Sequence, residues 1–252
     1  MNKFVFIAPM YNASKTLPRM LHSIVGQSYT NWRLILIDDI STHEEQVACN
    51  KIIFSMQELM SRSQASPNSI SVTWNSDGRG KKWETENVLY GVSMCDDDDI
   101  VCRIDADDFL CDLDALRIMN EVYDTYKPDC LWTAHRWFDD KVVATHNISN
   151  YLPDTANPYH HPWVTSHLKS FRKCLINDVK DENFRGKTGD YIRRAGDQAL
   201  YLPILHRANK RMYLPMVIYA YRCDMSAETF MSEDAKFQKK EAEFLRKRGF
   251  VE

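Results

Sequence analysis

Three carboxylates stand within four positions of one another, directly after a predicted strand. The strand covers Asp99–Ile104, and Asp105, Asp107 and Asp108 follow it. Alternation along an extended chain puts Asp105 and Asp107 on one face, so both can contact one ligand. Hard divalent cations prefer carboxylate oxygens, and Mg²⁺ usually takes one or two of them together with substrate phosphates. These residues therefore indicate a site for a metal and a diphosphate. The alternative is a group of acids at a helix N-terminus.

The ends of three other predicted strands also carry polar side chains. These strands cover Lys3–Ala8, Arg33–Asp38 and Ser69–Trp74. Ligands of open α/β sheets bind beyond the carboxyl ends of the strands, so polar residues there are candidates for binding. The residues concerned are Tyr11, Asn12, Asp38, Asp39, Asn75 and Asp77.

The elements that must position these residues alternate along the first 130 positions. Apolar residues from Leu17 to Val25 recur at helical spacing, and similar patterns cover 43–61, 82–94 and 113–126. Strands alternating with helices predict an α/β fold with a mostly parallel sheet covered on both faces. Further elements are predicted as strands Asp129–Phe138, Lys141–Ile148 and Arg211–Arg222, a short helix Gly196–Leu205, and a last helix after Ser232.

Three stretches, in this order and spacing, resemble the glycosyltransferases of family 2, which have the GT-A fold. They are Pro9-Met10-Tyr11-Asn12-Ala13 with a helix ending Gln27-Ser28-Tyr29, Leu36-Ile37-Asp38-Asp39-Ile40-Ser41, and Asp105-Ala106-Asp107-Asp108. The resemblance runs from Phe4 to about Leu110, and more thinly to Ser226. It implies a central sheet flanked by helices, a smaller mixed acceptor-side region and a C-terminal helix. Residues 1–128 would bind the nucleotide sugar and residues 129–252 the acceptor, within one compact domain.

The resemblance implies roles for the residues after the first two strands. Pro9, Tyr11 and Asn12 would line the pocket of the nucleotide base. Asp39, with Asp38 beside it, would bind the base edge or the ribose. The alternative for Asp38 is an acid in a strand-end turn.

Further roles concern the phosphates and the sugar. By the resemblance, Asp105 would face the ribose and sugar, and Asp107 would bind Mn²⁺ or Mg²⁺ bridging the diphosphate. Lys81 and Lys82 follow a short glycine-containing stretch and would approach the phosphates as point charges, with an exposed loop cluster as the alternative. Asn87 matches an Asn of the family on the helix before the metal strand, with a solvent-facing helix residue as the alternative.

Glycosyl transfer by direct displacement needs a general base to deprotonate the acceptor hydroxyl. The resemblance places a carboxylate at a helix start in the acceptor half, which Asp197 matches, with Asp190 as the fallback. The family usually has Glu before this Asp, whereas Gly196 precedes it here. The alternative for Asp197 is an ordinary helix N-terminal acid. Asp224 stands near a position where many relatives carry His, and is either a further metal ligand or a surface acid.

The formal net charge of −3 conceals an asymmetry. Residues 1–164 hold 14 Lys and Arg against 23 Asp and Glu, and residues 165–252 hold 18 against 12. The acidic run Asp96–Asp99 lies at the amino end of its strand and is interpreted as a solvated turn. The basic back half suits an anionic acceptor, either a phosphate-bearing lipid head or a nucleic-acid backbone. The cations considered are Lys169, Arg172, Lys173, Arg193, Arg194, Arg207, Lys210 and Arg211.

Composition bears on location as well. No apolar run approaches the roughly 18 residues that span a bilayer, so no transmembrane segment is predicted, and peripheral membrane contact stays open. The seven cysteines contain no C-x-x-C pair, which fits reduced thiols in a cytoplasmic protein.

These observations together predict an inverting, metal-dependent glycosyltransferase that uses a nucleotide-diphosphate sugar. The resemblance favours UDP as the nucleotide, and a glycan or lipid-linked glycan as the acceptor. Two alternatives stay open at this point. One is a glycosyltransferase acting on hydroxymethylated bases of DNA, and the other is a non-catalytic nucleotide-sugar-binding protein, because the Glu before Asp197 is absent.

Overall fold

A computed structural model describes residues 1–62, 68–75, 80–138, 143–144, 147–223 and 231–252. Its strands are β1 (Phe4–Met10), β2 (Trp32–Asp38), β3 (Ser69–Trp74), β4 (Ile100–Arg103), β5 (Phe109–Leu110), β6 (Cys130–Phe138), β7 (Val143–Ala144), β8 (Lys169–Arg172) and β9 (Arg211–Arg222). Its helices are α1 (Leu17–Val25), α2 (His43–Arg62), α3 (Trp83–Val92), α4 (Ala115–Tyr126), α5 (Gly196–Arg207) and α6 (Glu233–Arg248). Among these described helices, none combines the length and the apolar character that a membrane crossing requires.

The strands form one sheet in the order β3-β2-β1-β4-β8-β6-β9-β5, with β7 beside β6. The pairs of β1 with β2, β1 with β4 and β2 with β3 are parallel. Beyond β4 the sheet is mixed, because β8 is antiparallel to both β4 and β6 while β6 and β9 are parallel. The predicted α/β fold is confirmed, with its parallel part in the first half of the chain.

Alternating side chains of β1 show why helices cover both faces of this sheet. Phe4 and Phe6 point into a core that contains residues of α1, α2 and α4. Val5 and Ile7 point into a second core with residues of α3 and α5. A strand buried on both faces has no polar side to present to water, which is the reason for its continuous apolar run. The carboxyl ends of β1, β2 and β4 therefore meet at one edge of a rigid sheet.

The sequence analysis missed β8, whose four residues are Lys-Ser-Phe-Arg. A short strand with charges at both ends has no strong strand pattern of its own. Its position between β4 and β6 has a consequence for the site, since Lys169 pairs directly with Arg103 across the two strands. The predicted strand Lys141–Ile148 is a strand only at Val143–Ala144 among the residues that are described.

The acidic run before β4 is less solvated than predicted. Asp98 is exposed, as expected for a turn. Asp99, however, is 1% exposed, and its carboxylate lies 3.1 Å from the Lys3 ammonium. Asp97 pairs with Lys173 at 2.7 Å. The run thus ties the chain start and the segment after β8 to the amino end of β4.

The cations of the back half do not form one basic surface within the described structure. Lys169 is buried, Lys173 is paired with Asp97, and Arg207 lies 3.4 Å from Asp178. Arg211 is also buried, and its guanidinium donates to backbone carbonyls of the loop before β8. These four cations are therefore engaged in internal contacts and are not available to an anionic acceptor.

Candidate active site

Two adjoining cavities of about 330 and 390 Å³ open at the carboxyl ends of β1 and β4. They share Pro9, Met10, Tyr11, Asp105 and Asp107, so we treat them as one cleft. The smaller part is also lined by Asn12, Ala13, Lys15, Thr16, Ala106 and Arg222. The larger part is also lined by Asp39, Lys81, Trp83, Glu84, Asn87, Arg193 and Arg194. The cleft thus gathers most of the predicted donor-site residues.

The loops after β1 and β2 are tied together beside the cleft. The backbone N–H of Asn12 donates to the Ser41 hydroxyl at 2.8 Å, and its side-chain oxygen accepts from the N–H of Thr42 at 3.0 Å. Asn12 has a φ of 49°, a left-handed conformation that Asn adopts more readily than most residues. These bonds place the exposed ring of Tyr11 on the rim of the cleft.

The two acids that end β2 face different ways. Asp39 lines the cleft, and its carboxylate accepts the N–H groups of Lys82 and Trp83 at 2.7 and 3.0 Å. Asp38 is buried and accepts from the N–H of Ser41 at 3.1 Å and from Gln46 at 2.9 Å. The contacts of Asp38 are those of an acid that orders a strand-end turn, which is the alternative considered for it.

Asn87 projects from α3 to the cleft wall and is 1% exposed. Neither its amide nitrogen nor its amide oxygen has a hydrogen-bond partner in the described structure. A buried amide without partners costs free energy, which a ligand that supplies a donor and an acceptor would recover. Asn87 is therefore not the solvent-facing helix residue that was considered as the alternative.

Asp105 and Asp107 both lie in the cleft, as their alternation after β4 predicts. Asp105 accepts a 2.7 Å hydrogen bond from the guanidinium of Arg103. Burial, and then the neighbouring charge of Asp105, raise the pKa of Asp107 to about 6. Two carboxylates that repel each other beside an open cavity form an arrangement that a divalent cation relieves.

Asp108 is fully buried and serves a different purpose from its neighbours. Its carboxylate accepts from the Tyr219 hydroxyl and from the N–H of Arg222, both at 2.6 Å. Burial raises the pKa of Asp108 well above its ordinary value, and the charges of Asp105 and Asp107 add to this effect. Asp108 thereby fastens the end of β9 to the acidic segment.

His167 was not singled out from the sequence, and the fold brings it to the acids. Ligand atoms of Asp105, Asp108 and His167 lie within 4.8 Å of one another. The imidazole is buried, stacks on the Tyr219 and Tyr221 rings, and has an Nδ1 atom without a hydrogen-bond partner. Burial lowers its pKa well below the ordinary value, so the ring is neutral and able to ligate a metal.

A second group of residues is basic and aromatic and lines the same part of the cleft as Asp107. The Lys81 ammonium is 3.4 Å from the centre of the Tyr11 ring and 4.8 Å from that of Trp83. The guanidiniums of Arg194 and Arg193 lie 4.8 and 6.0 Å from the same Trp83 ring. Of the eight cations considered above, only Arg193 and Arg194 line the cleft.

Asp197 lies at the start of α5, as expected, and is next to a buried cation. Its Oδ2 atom is 3.7 Å from the ammonium of Lys169, which is 3% exposed. Burial lowers the pKa of Lys169, and the charge of Asp197 acts in the opposite direction. The fallback base Asp190 instead bonds to Thr188 at 3.0 Å and lines a separate groove against α6. Asp224, the other predicted metal ligand, lies outside the described residues.

The glycine before Asp197 has a structural reason. A β-carbon placed on Gly196 would lie 2.6 Å from the carboxylate of Glu84, closer than side chains approach one another. Glu84 also lies 2.7 Å from the Arg103 guanidinium. Burial raises the pKa of Glu84, although the Arg103 guanidinium acts to lower it. The sequence analysis missed Glu84 and Arg103. A charged residue at the end of the otherwise apolar β4 is the signal that could have identified Arg103.

A comparison with protein families matches residues 5–192 to Glycosyl transferase family 2. A 40-residue stretch is 50% identical to EpsE of Bacillus subtilis (strain 168), and covers 16% of this chain and 14% of that protein.

Solved structures with the same fold include S. aureus TarS 1-349 in complex with UDP-GlcNAc, at 16% identity and a TM-score of 0.62. The match covers 91% of this chain and 61% of that one. The mannosyltransferase PcManGT from Pyrobaculum calidifontis, in complex with GDP-Man and Mn²⁺, is 13% identical with a TM-score of 0.57, covering 89% of this chain and 58% of that one. The chain thus spans about three fifths of each of these structures. The sheet and its flanking helices have the GT-A fold.

Proposed function

The chain belongs to glycosyl transferase family 2, and on that premise we propose that it transfers a sugar from a nucleotide-diphosphate sugar to an acceptor hydroxyl. One observation carries the proposal. Asp105 and Asp107 face one cleft together with Asn87 and Arg193. Glu84 in the wall of that cleft lies against Gly196, the residue before Asp197. The cleft therefore holds acids for a metal and cations for phosphates, and the proposed base Asp197 follows directly after the residue that contacts its wall.

The nucleotide would lie along the β1 and β2 side of the cleft. Pro9, Tyr11 and Asn12 form its rim, and Asp39 fixes the start of α3 beside it. The exposed Tyr11 ring offers a stacking surface for a base. We propose UDP as the nucleotide, which the binding of UDP-GlcNAc by the structural neighbour TarS supports.

Asp105 and Asp107 would hold Mn²⁺ or Mg²⁺. Their fit rests on the chemistry of the donor set, because both are carboxylates in an open cleft and Asp107 is destabilised as an anion by burial and by Asp105. Asp108 fits less well as a ligand to a diphosphate-bound ion, since both of its oxygens already accept hydrogen bonds and it is fully buried. When bound, such an ion supplies positive charge to a departing diphosphate.

The cations of the cleft serve the same leaving group. Lys81, Arg193 and Arg194 surround one Trp83 ring at distances of 4.8 to 6.0 Å, in the cleft that also contains Asp105 and Asp107. Arg194 is also paired with Asp234 of α6, so Lys81 and Arg193 supply most of the positive charge for a diphosphate. The amide of Asn87 provides a donor and an acceptor for the sugar or ribose. Preorganised charge of this kind stabilises the negative charge that develops on the leaving diphosphate.

Asp197 would take the proton of the acceptor hydroxyl. Its Oδ1 atom accepts from the N–H of Gln198 at 2.7 Å, and its Oδ2 atom makes no hydrogen bond within the described structure. This Oδ2 atom lies 3.7 Å from the Lys169 ammonium, and a carboxylate oxygen that is oriented in this way but makes no hydrogen bond suits a general base. The oxygen of the acceptor would then attack the anomeric carbon opposite the diphosphate, which inverts the configuration.

We propose a glycan or lipid-linked glycan as the acceptor. DNA is the weaker candidate, because Lys169 is buried and Lys173 and Arg207 are paired with acids, so these three cations are not available to a phosphate backbone. A purely nucleotide-sugar-binding role is also disfavoured by the retained acids of the cleft. We propose a cytoplasmic location, which the absence of a C-x-x-C pair among the seven cysteines supports.

The experiment that tests this function is a thermal-shift screen of nucleotide sugars with and without Mn²⁺, followed by assays of nucleotide release. We expect one sugar nucleotide to raise the melting temperature only when Mn²⁺ is present, and to be hydrolysed slowly. Asp107→Ala should remove both effects. The matched control is Asp98→Ala, which removes an exposed carboxylate at the opposite end of β4. Turnover that survives Asp107→Ala would show that the metal assignment is wrong.

A further inference from the structure

The carboxylate of Glu84 occupies space that a side chain at position 196 would need. A β-carbon on Gly196 would meet the Cδ and Oε2 atoms of Glu84 at 2.6 Å and its Oε1 atom at 3.0 Å. Gly196 is buried at the first position of α5, and Glu84 lies in the first turn of α3. The contact therefore joins the amino ends of two helices that approach the cleft from different parts of the chain.

Glu84 belongs to a cluster of five charged side chains, which we call the charge cluster. Its acids are Glu84, Asp105 and Asp197, and its bases are Arg103 and Lys169. Arg103 lies 2.7 Å from both Glu84 and Asp105. Lys169 pairs with Arg103 in the sheet and lies 3.7 Å from Asp197. Two ion-paired groups, one around Arg103 and one of Lys169 with Asp197, are thus brought next to each other by the pairing of β4 with β8.

The charge cluster places two cations side by side at the ends of β4 and β8. Both side chains are almost fully buried, at 9% and 3% exposure. Buried cations need opposing charge, and among the members of the charge cluster Asp105 and Asp197 alone would supply it without Glu84. The ammonium of Lys169 has no hydrogen-bond partner in the described structure, so it would be able to draw the carboxylate of Asp197 into a direct bond. At 3.7 Å that bond is not made, because the separation exceeds hydrogen-bond length.

We propose that Glu84 is a positioning residue for Asp197, and that Gly196 is required because it leaves the space in which Glu84 does this. Glu84 shares the charge of Arg103 and Lys169, so that Asp197 keeps one oxygen available for the acceptor proton. The inference rests on the proposed function, and it adds a residue of α3 to the acceptor half of the site. Glu84 itself transfers no proton in this scheme.

The first test compares Glu84→Gln with Glu86→Gln. Both variants remove one carboxylate from the first turn of α3, and only the first removes a member of the charge cluster. We measure release of UDP from UDP-GlcNAc and of GDP from GDP-mannose with Mn²⁺ present, and the affinity for UDP and GDP by calorimetry. Glu84→Gln should lower kcat roughly ten- to hundredfold, as small displacements of a catalytic group do, with less than about a threefold change in KM or nucleotide affinity. Glu86→Gln should leave both unchanged.

A second test moves the carboxylate across the contact. Gly196→Ala should reproduce the loss of kcat, because its β-carbon displaces Glu84, whereas Gly186→Ala should not, since a β-carbon there meets its nearest atom at 3.5 Å. The double variant Glu84→Ala with Gly196→Glu should have a kcat at least about tenfold higher than that of Glu84→Ala, because it returns a carboxylate to the same place.

The outcomes separate this inference from the function on which it rests. A wild-type chain that releases no nucleotide from either donor and binds neither nucleotide would overturn the proposed function and the inference with it. A wild-type chain that turns over while Glu84→Gln keeps full kcat would overturn the inference alone. A fall in nucleotide affinity equal to the fall in kcat would also reject it, because Glu84 would then act on donor binding.

Discussion

The carboxylate of Asp39 accepts the backbone N–H of Lys82 at 2.7 Å, across 43 positions of the chain. It accepts the N–H of Trp83 as well, so Asp39 binds two backbone N–H groups at the start of α3. This helix carries Glu84 and Asn87 into the cleft. The acid that the resemblance assigns to the nucleotide thus also holds the helix on which much of the site depends.

Replacing Asp39 by Ala should destabilise the protein and weaken nucleotide binding together. Loss of an acid at a helix N-terminus costs roughly 1–2 kcal/mol of unfolding free energy, because the N–H groups of Lys82 and Trp83 would lose this acceptor. Urea denaturation measures the first effect and calorimetry with UDP and Mn²⁺ the second. Asp98→Ala serves as the control. An unchanged denaturation midpoint for Asp39→Ala would contradict the capping role.

Asp107 should make the metal-free protein less stable as the pH rises from about 4 to 6. Its pKa lies near 6 in the folded chain against an ordinary 3.8, so the folded state holds this proton more tightly than the unfolded state does. Stability from this group is therefore present below the unfolded value and is lost through that window. Asp107→Asn should stabilise the metal-free protein by about 1–3 kcal/mol at pH 7. Urea denaturation at pH 4 and pH 7 checks the sign.

Binding of Mn²⁺ should show the complementary dependence on pH. Below about pH 6 the ion must displace a proton from Asp107, so its apparent affinity falls as the pH falls. Calorimetry of Mn²⁺ and UDP in buffers of different ionisation enthalpy should record proton release near pH 6. The same affinity at pH 5 and pH 7 would argue that Asp107 is not a ligand.

Asp197→Asn should abolish most turnover while the donor still binds. Removal of a general base lowers rates about 10²- to 10⁴-fold, and Asn keeps the size of the side chain beside Lys169. Asp190→Asn is the matched control, because Asp190 bonds to Thr188 in the groove against α6, whereas Asp197 lies beside Lys169 of the charge cluster. Nucleotide release and transfer to an acceptor are the measurements. Loss of activity in Asp190→Asn with full activity in Asp197→Asn would reverse the assignment.

Arg193→Ala should weaken the binding of UDP with Mn²⁺ roughly tenfold, because a charge-assisted contact to phosphate would be lost. The remaining affinity should depend less on salt than that of the wild type. Arg207→Ala removes a guanidinium that pairs with Asp178 outside the cleft, and it should bind UDP normally. Equal affinities of the two variants would place the diphosphate away from Arg193.

Local sequence patterns determined the parallel strands, their helices and the polar strand ends. Each of these depends on neighbouring residues, since alternation along β1 or helical spacing along α1 is set within a few positions. The acids Asp105 and Asp107 were identified in the same way, because they follow a buried strand directly. The resemblance then predicted that Asn87 lies on the helix before β4 and that Asp197 lies at the start of a helix in the second half of the chain.

Contacts between distant segments were decided only by the tertiary structure. The insertion of β8 between β4 and β6 puts Lys169 next to Arg103, and no local pattern in a four-residue strand specifies that neighbour. The same applies to Glu84, which meets Gly196 because α3 and α5 pack on one face of the sheet. Strand order and helix packing are fixed by burial of the whole core, so the charge cluster that links donor acids to the candidate base exists only once the chain has folded.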